Sequence, residues 1–203
     1  MKRKLNFEHL PTPHIGIDEV GRGCLAGPVV AAAVIFKSAK DIRKYKDSKI
    51  LCEEAREELS QSIHTHHLVG IGWASVEEID QVNILQASFL AMHRAIAALG
   101  IVEAGTILVD GIMAIPDIAR HQQLAIVKGD QRVRLISAAS IAAKVARDRF
   151  MTQLAEEVNL YGFEKHKGYG TLFHREQIQK NGPCRWHRQT FSGVKEFIGP
   201  SAV

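Results

Sequence analysis

The order of apolar and polar positions along the chain predicts a sheet with helices between and after its strands. Residues 14–20 and 28–37 are apolar runs joined by a short glycine-rich link, which permits a hairpin. The second run is apolar at nearly every position, as in a strand buried on both faces. Further strands are predicted over residues 67–75, 106–109 and 124–127.

Helical patterns account for the remaining long segments. Ser75-Val76-Glu77-Glu78 fits a capping box and opens a helix that continues to Gly100. Three other helices are predicted, over residues 52–65, 135–158 and 171–180. Three strands able to pair antiparallel, followed by alternating helices and strands, indicate an α/β domain with a mixed sheet.

Length and composition indicate one globular domain over residues 1–203, with 46% hydrophobic and 24% charged residues. No apolar run approaches the ~20 residues that cross a bilayer, and the N-terminus lacks the apolar stretch of a signal peptide. We therefore expect a cytoplasmic protein that contacts no membrane. Cys24, Cys52 and Cys184 are widely spaced, and we expect all three to be buried as small apolar residues.

The positive charge is concentrated in the second half of the chain. The net charge is +4, and residues 1–100 are neutral with 12 basic and 12 acidic side chains. Residues 162–195 carry seven Lys and Arg against two acids, with aromatic side chains between them. This pattern predicts a basic, aromatic segment over roughly residues 160–203 that contacts an anionic partner.

Acidic residues stand at the ends of three apolar strands. Asp18 and Glu19 end the first, Asp110 follows a second, and Asp130 comes soon after a third. Ligands of open α/β sheets bind at the carboxyl ends of strands, and carboxylates gathered there repel one another unless Mg²⁺ or Mn²⁺ lies between them. Alternatively, each acid is a loop residue that faces water. Glu19 fits a metal site least well, because adjacent side chains of a strand point to opposite faces.

A glycine-rich loop, residues 21–27, follows the first strand. It is not a dinucleotide fingerprint, because the glycine spacing is one residue too long and a strand follows instead of a helix. Glycines on both sides of Arg22 let the main chain approach a ligand closely. An ordinary hairpin turn explains the same glycines.

Six segments resemble, in order, the motifs of bacterial ribonuclease HII, in the type 2 ribonuclease H family. They are residues 16–23 (GIDEVGRG), 47–49 (DSK), 109–111 (VDG), 128–130 (KGD), 138–148 (AASIAAKVARD) and 166–171 (HKGYGT). The match runs from about residue 14 to 193. The resemblance implies a ribonuclease H-like five-stranded mixed sheet flanked by helices, with a small helical C-terminal part.

The activity that the resemblance implies is metal-dependent endonuclease cleavage of the RNA strand of RNA/DNA hybrids. It also implies incision of duplex DNA on the 5′ side of a single embedded ribonucleotide, leaving 3′-hydroxyl and 5′-phosphate ends. By motif, the catalytic and metal-binding residues are Asp18, Glu19, Asp110 and Asp130. They would act by a two-metal-ion mechanism with Mn²⁺ or Mg²⁺.

The resemblance also implies a set of substrate contacts. Gly21, Arg22 and Gly23 would contact the ribose 2′-hydroxyl through the main chain, and Tyr169 would pack on the sugar at the RNA-to-DNA junction. Candidate contacts to phosphates or to the catalytic carboxylates are Ser48, Lys49, Ser140 and Lys144.

The residue pattern alone favours other interpretations of some of these side chains. Tyr169 could cover a C-terminal core. Ser137, Ser140, Lys144 and Arg147 form one polar stripe of the long helix, which is usually a solvated face. Ile50 and Cys52 depart from the family pattern, which weakens the phosphate role of the adjacent loop. His64, His66 and His67 carry no zinc signature.

Two other functions remain open at this point. One is a related ribonuclease H that cuts only longer hybrid tracts. The other is a non-catalytic nucleic-acid-binding module, which explains the basic segment but not the acids, since carboxylates weaken binding to phosphates. We expect a monomer that binds RNA/DNA hybrid and ribonucleotide-containing duplex DNA, and no protein partner is evident from the sequence.

Overall fold

A computed structural model describes residues 5–45, 48, 51–100 and 105–199 of the chain. Its centre is a five-stranded sheet in the order β3-β2-β1-β4-β5. β1 pairs antiparallel with β2, and β2 with β3, whereas β4 is parallel to both β1 and β5. The predicted five-stranded mixed sheet is confirmed. Its strands are β1 (His14–Val20), β2 (Val29–Phe36), β3 (His67–Ala74), β4 (Thr106–Asp110) and β5 (Gln123–Ile126).

Helices cover both faces of this sheet. The longer helices lie within one or two residues of their predicted bounds, whereas α3 and α5 were not predicted, because a single turn carries no periodic pattern. None of the helices in the described ranges is both long and apolar enough to cross a membrane. The helices are α1 (Glu53–His66), α2 (Val76–Ala98), α3 (Gly129–Arg132), α4 (Arg134–Glu157), α5 (Phe163–His166) and α6 (Leu172–Asn181).

The alternation of side chains along the central strands divides the core between two layers. Ile17 and Ala33 pack in one cluster with α2, whereas Ala32 and Val34 pack in a second cluster with α1 and α4. Gly72 lets α2 approach β3, since a Cβ there would lie 2.0 Å from the Ala91 carbonyl oxygen. The sheet is therefore held between helices, and its strand ends are left open at the edge.

A third apolar cluster holds the C-terminal residues against the end of α4. Met151 and Leu154 of α4 pack with Leu25, Phe163 and Val194. Backbone hydrogen bonds join Leu25 N to Gly168 O at 2.8 Å and Gly27 N to Trp186 O at 2.8 Å. The loop after β1 therefore lies between two stretches of the C-terminal segment.

The cysteines depart from the prediction. Cys24 is buried, Cys184 is partly buried and Cys52 is exposed, and all three are free. The expectation of three buried cysteines is therefore wrong for Cys52. This residue precedes the first turn of α1, where the chain enters the helix at the surface.

Candidate active site

The open ends of β1 and β4 bring three acidic side chains to one cavity. The parallel pairing of these strands ends at Ile17 and Val109, so Asp18 and Asp110 follow directly at the carboxyl edge. Because the pairing with β4 stops there, Glu19 reaches the same cavity, although its position alternates with that of Asp18.

The cavity has a volume of 310 Å³ and gathers most of the residues singled out in the sequence. Its lining comprises Asp18, Glu19, Val20, Gly21, Arg22, Gly23, Ser48, Asp110, Ser140, Lys144 and Tyr169. Lys49 lies outside the described residues.

Asp130 lies next to this cavity rather than in its lining. The Asp110 carboxylate accepts hydrogen bonds from the main-chain N–H groups of Gly129 at 2.6 Å and Asp130 at 3.3 Å. These bonds fix the single turn of α3 against the end of β4. The Asp130 side chain is itself buried there.

Two acids of the cavity, Asp18 and Glu19, lie in surroundings that disfavour their ionised form and so raise their pKa. Burial raises the pKa of Asp18 well above its usual value, and the charges of Glu19 and Asp110 raise it further. The Ser140 hydroxyl opposes this shift by hydrogen bonding to Asp18. Burial also raises the pKa of Glu19, while the Arg22 guanidinium, 3.0 Å from its carboxylate, opposes the rise.

This donor set suits a hard divalent cation, which prefers carboxylate oxygens and relieves their repulsion. The side chains are not closed around such an ion. No group of three or more His, Cys, Asp or Glu side chains in the described ranges is close enough to enclose one. Glu19 is paired with Arg22, and Asp110 with the amides of α3.

The two glycines beside Arg22 have different surroundings. Gly21 has a φ of +95°, and a Cβ there would lie 2.3 Å from Nε of Arg147. At Gly23, no heavy atom lies within 4 Å of the position of a Cβ. The fold therefore requires glycine at position 21, whereas position 23 leaves an open approach to the main chain.

The polar stripe of α4 faces the protein interior. Ser137 and Arg147 are fully buried and Ser140 is nearly so. The interpretation of this stripe as a solvated face is therefore wrong. α4 packs on β1. The Ser140 hydroxyl meets that of Ser48, and the Arg147 guanidinium binds main-chain carbonyls. The buried Ser137 hydroxyl has no hydrogen-bond partner among the described residues.

Side chains of α4 extend the cavity toward the C-terminal segment. The Ser140 hydroxyl lies 3.0 Å from that of Ser48. Lys144 Nζ donates to Asp148 at 2.8 Å and lies 5.7 Å from the centre of the Tyr169 ring. A cation therefore lies near the aromatic ring in the cavity that the acids line.

Tyr169 is a site residue by position and not a core tyrosine. It is 42% exposed, its ring lines the cavity, and its backbone pairs with buried Cys24. The interior of the C-terminal segment is filled by Tyr161 and Phe163 instead.

Sequence reasoning missed two residues that support this site. Asp148 pairs with Lys144, and the spacing of four residues within one helix was an available signal. Arg188 is fully buried against the glycine-rich loop, and its contacts join residues far apart in the chain, so no local pattern indicated them.

Cavity volume alone would have pointed elsewhere. A larger cavity of 780 Å³ lies beside the start of β1 and the end of β2. It is bounded by apolar side chains such as Phe7 and Phe36, together with Arg132 and Arg134, and has no acid in its described lining. The smaller cavity, which acids line, is therefore the candidate active site.

Comparison with known proteins identifies the family. Residues 15–194 match the family model described as Ribonuclease HII. Ribonuclease HII of Pelagibacter ubique is 46% identical over 183 residues, which cover 90% of this chain and 97% of that protein. Ribonuclease HII of Marinomonas sp. is 50% identical over 184 residues, which cover 90% of this chain and 92% of that protein.

Solved structures share the fold. A chain in the PCNA:RNase HII complex from Archaeoglobus fulgidus superposes with a TM-score of 0.73 at 29% identity, covering 88% of this chain and 94% of that one. Bst-RNase HIII in complex with Mn²⁺ has a TM-score of 0.73 at 21% identity, covering 90% and 68%, and shows the fold alone. With the family model spanning nearly the whole chain and the acidic strand ends in place, the chain belongs to the ribonuclease HII family and is an endoribonuclease.

Proposed function

We propose that the chain cleaves the RNA strand of RNA/DNA hybrids and incises duplex DNA 5′ of a single embedded ribonucleotide, leaving 3′-hydroxyl and 5′-phosphate ends. One observation carries this proposal: a single cavity is lined both by acids and by groups suited to a sugar. Asp18, Glu19 and Asp110 line it together with Gly21, Arg22 and Gly23 of the glycine-rich loop and with Tyr169. A ribose and its adjacent phosphate would fit this arrangement together.

Asp18, Glu19, Asp110 and Asp130 would hold Mn²⁺ or Mg²⁺. When bound, such ions lower the pKa of the attacking water and stabilise the leaving 3′-oxygen. The chain orients the carboxylates that receive them. The Ser140 hydroxyl and the Glu19 amide hydrogen-bond to Asp18, and the α3 amides fix one oxygen of Asp110.

Substrate recognition would follow from the groups around the acids. The open approach at Gly23 leaves main-chain groups accessible to a 2′-hydroxyl, the group that distinguishes RNA from DNA. Tyr169 would pack on the neighbouring sugar. The Lys144 ammonium group lies near the Tyr169 ring and would attract the phosphate next to that sugar. The sugar-phosphate backbone of the substrate on either side would be contacted by Ser48, Lys49 and the basic C-terminal segment.

The test uses three labelled duplexes with Mg²⁺ or Mn²⁺: all-DNA, DNA with one ribonucleotide, and DNA with a longer ribonucleotide tract. We expect cleavage of both ribonucleotide-containing duplexes and none of the all-DNA duplex. A DNA polymerase should extend the new end, which requires a 3′-hydroxyl. If only the long tract is cut, the alternative of a hybrid-tract ribonuclease is correct and the single-ribonucleotide activity is refuted.

A further inference from the structure

Two arginines are buried behind the glycine-rich loop. Arg147 of α4 and Arg188 of the C-terminal segment are both fully buried, and neither lines the cavity. In the described part of the chain, neither lies within salt-bridge distance of a carboxylate. Burial lowers the pKa of Arg188 to about 10, which leaves it charged at neutral pH.

Arg188 joins the two ends of the loop. Its Nη1 donates to the Arg22 carbonyl at 2.9 Å, and its Nη2 donates to the Gly21 carbonyl at 2.6 Å. Nε and Nη2 both donate to the Gly27 carbonyl, at 3.0 and 2.9 Å. The planar fork of one guanidinium therefore sets the distance between the entry and the exit of the loop.

Arg147 connects the loop exit with the turn that carries Tyr169. Its Nε donates to the Pro28 carbonyl at 2.9 Å and its Nη2 to the Ala26 carbonyl at 2.9 Å. Its Nη1 donates to the Lys167 carbonyl at 2.7 Å, two residues before Tyr169. The two sugar-facing parts of the cavity are thus tied to one side chain.

Main-chain bonds from Leu25 to Gly168 and from Gly27 to Trp186 hold the second half of the loop, whereas the carbonyls of Gly21 and Arg22 at its start are bound by Arg188. The hydrogen bond within its first turn, from Cys24 N to Gly21 O, is long at 3.4 Å. Burying a guanidinium without an acid beside it is unfavourable unless hydrogen bonds satisfy its donors. An apolar side chain would fill the same volume without that penalty, but it could not bind the carbonyls.

We propose that Arg188, assisted by Arg147, is a positioning residue that determines selectivity for ribose over deoxyribose. It holds Gly21 and Arg22 so that the main chain of the loop presents fixed groups to a 2′-hydroxyl. The inference rests on the proposed function, because it assigns the loop to ribose recognition. Neither arginine lines the cavity, so each would act through the loop and not on the substrate itself.

The test measures binding in an Asp110→Asn background, which removes cleavage and leaves the loop unchanged. Fluorescence anisotropy gives the Kd for a duplex with one ribonucleotide and for the matched all-DNA duplex. We expect the Asp110→Asn protein to prefer the ribonucleotide by about tenfold, as for one or two hydrogen bonds. Adding Arg188→Lys keeps the charge but removes the fork, and should reduce this preference to about twofold without changing the Kd for DNA.

Arg149→Lys in the same background is the matched control, because Arg149 is exposed on α4 and pairs with Glu57. It should keep the full preference. Circular dichroism melts establish that each variant is folded at the assay temperature, and if Arg188→Lys is not, Arg147→Lys tests the same loop from its other end. An unchanged preference in the folded arginine variant overturns the inference. Absence of any preference in Asp110→Asn itself refutes ribose recognition by the site, and the inference with it.

Discussion

Gly21 and Gly23 differ in what a single methyl group would meet. Alanine at position 21 would have to adopt a left-handed backbone and displace Arg147, so we expect a loss of about 1–3 kcal/mol in the free energy of unfolding. Alanine at position 23 meets open space, so stability should stay within about 0.5 kcal/mol of wild type. Cleavage of the single-ribonucleotide duplex by Gly23→Ala should nevertheless fall about tenfold or more, as for a lost hydrogen bond. Denaturant melts and initial rates give both values, and full activity in Gly23→Ala would remove this glycine from the site.

Asp18 is the acid on which burial and like charge act together, so its replacement should separate stability from metal binding. Without divalent ions, Asp18→Asn should raise the free energy of unfolding, because the amide carries no charge to bury or to repel Glu19 and Asp110. Mn²⁺ should raise the Tm of wild type, and it should raise the Tm of Asp18→Asn much less. Cleavage by Asp18→Asn should fall about a hundredfold or more. Asp117→Asn, at an exposed position, is the control and should behave as wild type. An equal Mn²⁺ effect on the Tm of Asp18→Asn and of wild type would contradict the metal assignment.

The first turn of α2 has a side-chain N-cap, whereas the first turn of α1 lacks one. One cap can therefore be removed and the other added. Ser75 accepts a hydrogen bond from Glu78 N at 3.2 Å, while the Glu78 carboxylate accepts from Ser75 N at 2.8 Å, which confirms the predicted capping box. Cys52 occupies the corresponding position of α1 and makes no side-chain capping bond. We expect Ser75→Ala to lower the free energy of unfolding by about 1 kcal/mol and Cys52→Ser to raise it by up to about 1 kcal/mol. Urea melts measure both, and cleavage per folded molecule should not change.

The same elements show why sequence patterns describe some parts of this fold and not others. The strands and the long helices repeat an apolar period over many residues, which the sequence displays directly. The break in α2 at Asn83 does not follow from periodicity. There the backbone has a φ of +68° and the Asn83 side chain accepts from the amides of Leu85 and Gln86, so one polar residue restarts the helix.

Across the whole molecule, the acids of the site could be predicted from the sequence. The buried arginine that shapes the glycine-rich loop could not. Asp18 and Asp110 each follow an apolar strand, and the topology of a mixed sheet brings such ends together. The glycine-rich loop, by contrast, is shaped by Arg188, more than 160 residues along the chain. Contacts over that separation leave no period in the sequence, and only the resemblance to a family connected the two segments.

Within the C-terminal segment, two neutral histidines link Cys184 to the turn that carries Tyr169. The Tyr169 carbonyl can only accept, so His174 donates to it through Nδ1 at 2.8 Å and accepts through Nε2 from His187 at 3.0 Å. His187 Nδ1 then accepts from Cys184 N at 3.0 Å. A ring nitrogen accepts only when it carries no proton, so the bonds accepted by His174 Nε2 and His187 Nδ1 require both rings to be uncharged. Burial lowers the pKa of both histidines to about 4.

This network predicts a loss of global stability on acidification. Between pH 6.5 and about 4 the unfolded chain binds protons at these histidines and the folded chain does not, so the free energy of unfolding falls as the pH falls. From pH 7 to 5 the decrease should be on the order of 2 kcal/mol for each histidine. Urea melts over this pH range give the free energy of unfolding of wild type and of His187→Gln. Plotted against pH, this free energy should have a shallower slope in the variant. Buried acids such as Asp18 contribute equally to both proteins, so the slope difference isolates the histidine; His121→Gln, at an exposed position, should keep the wild-type slope. Identical slopes in wild type and His187→Gln would show that His187 is not held neutral in the folded protein.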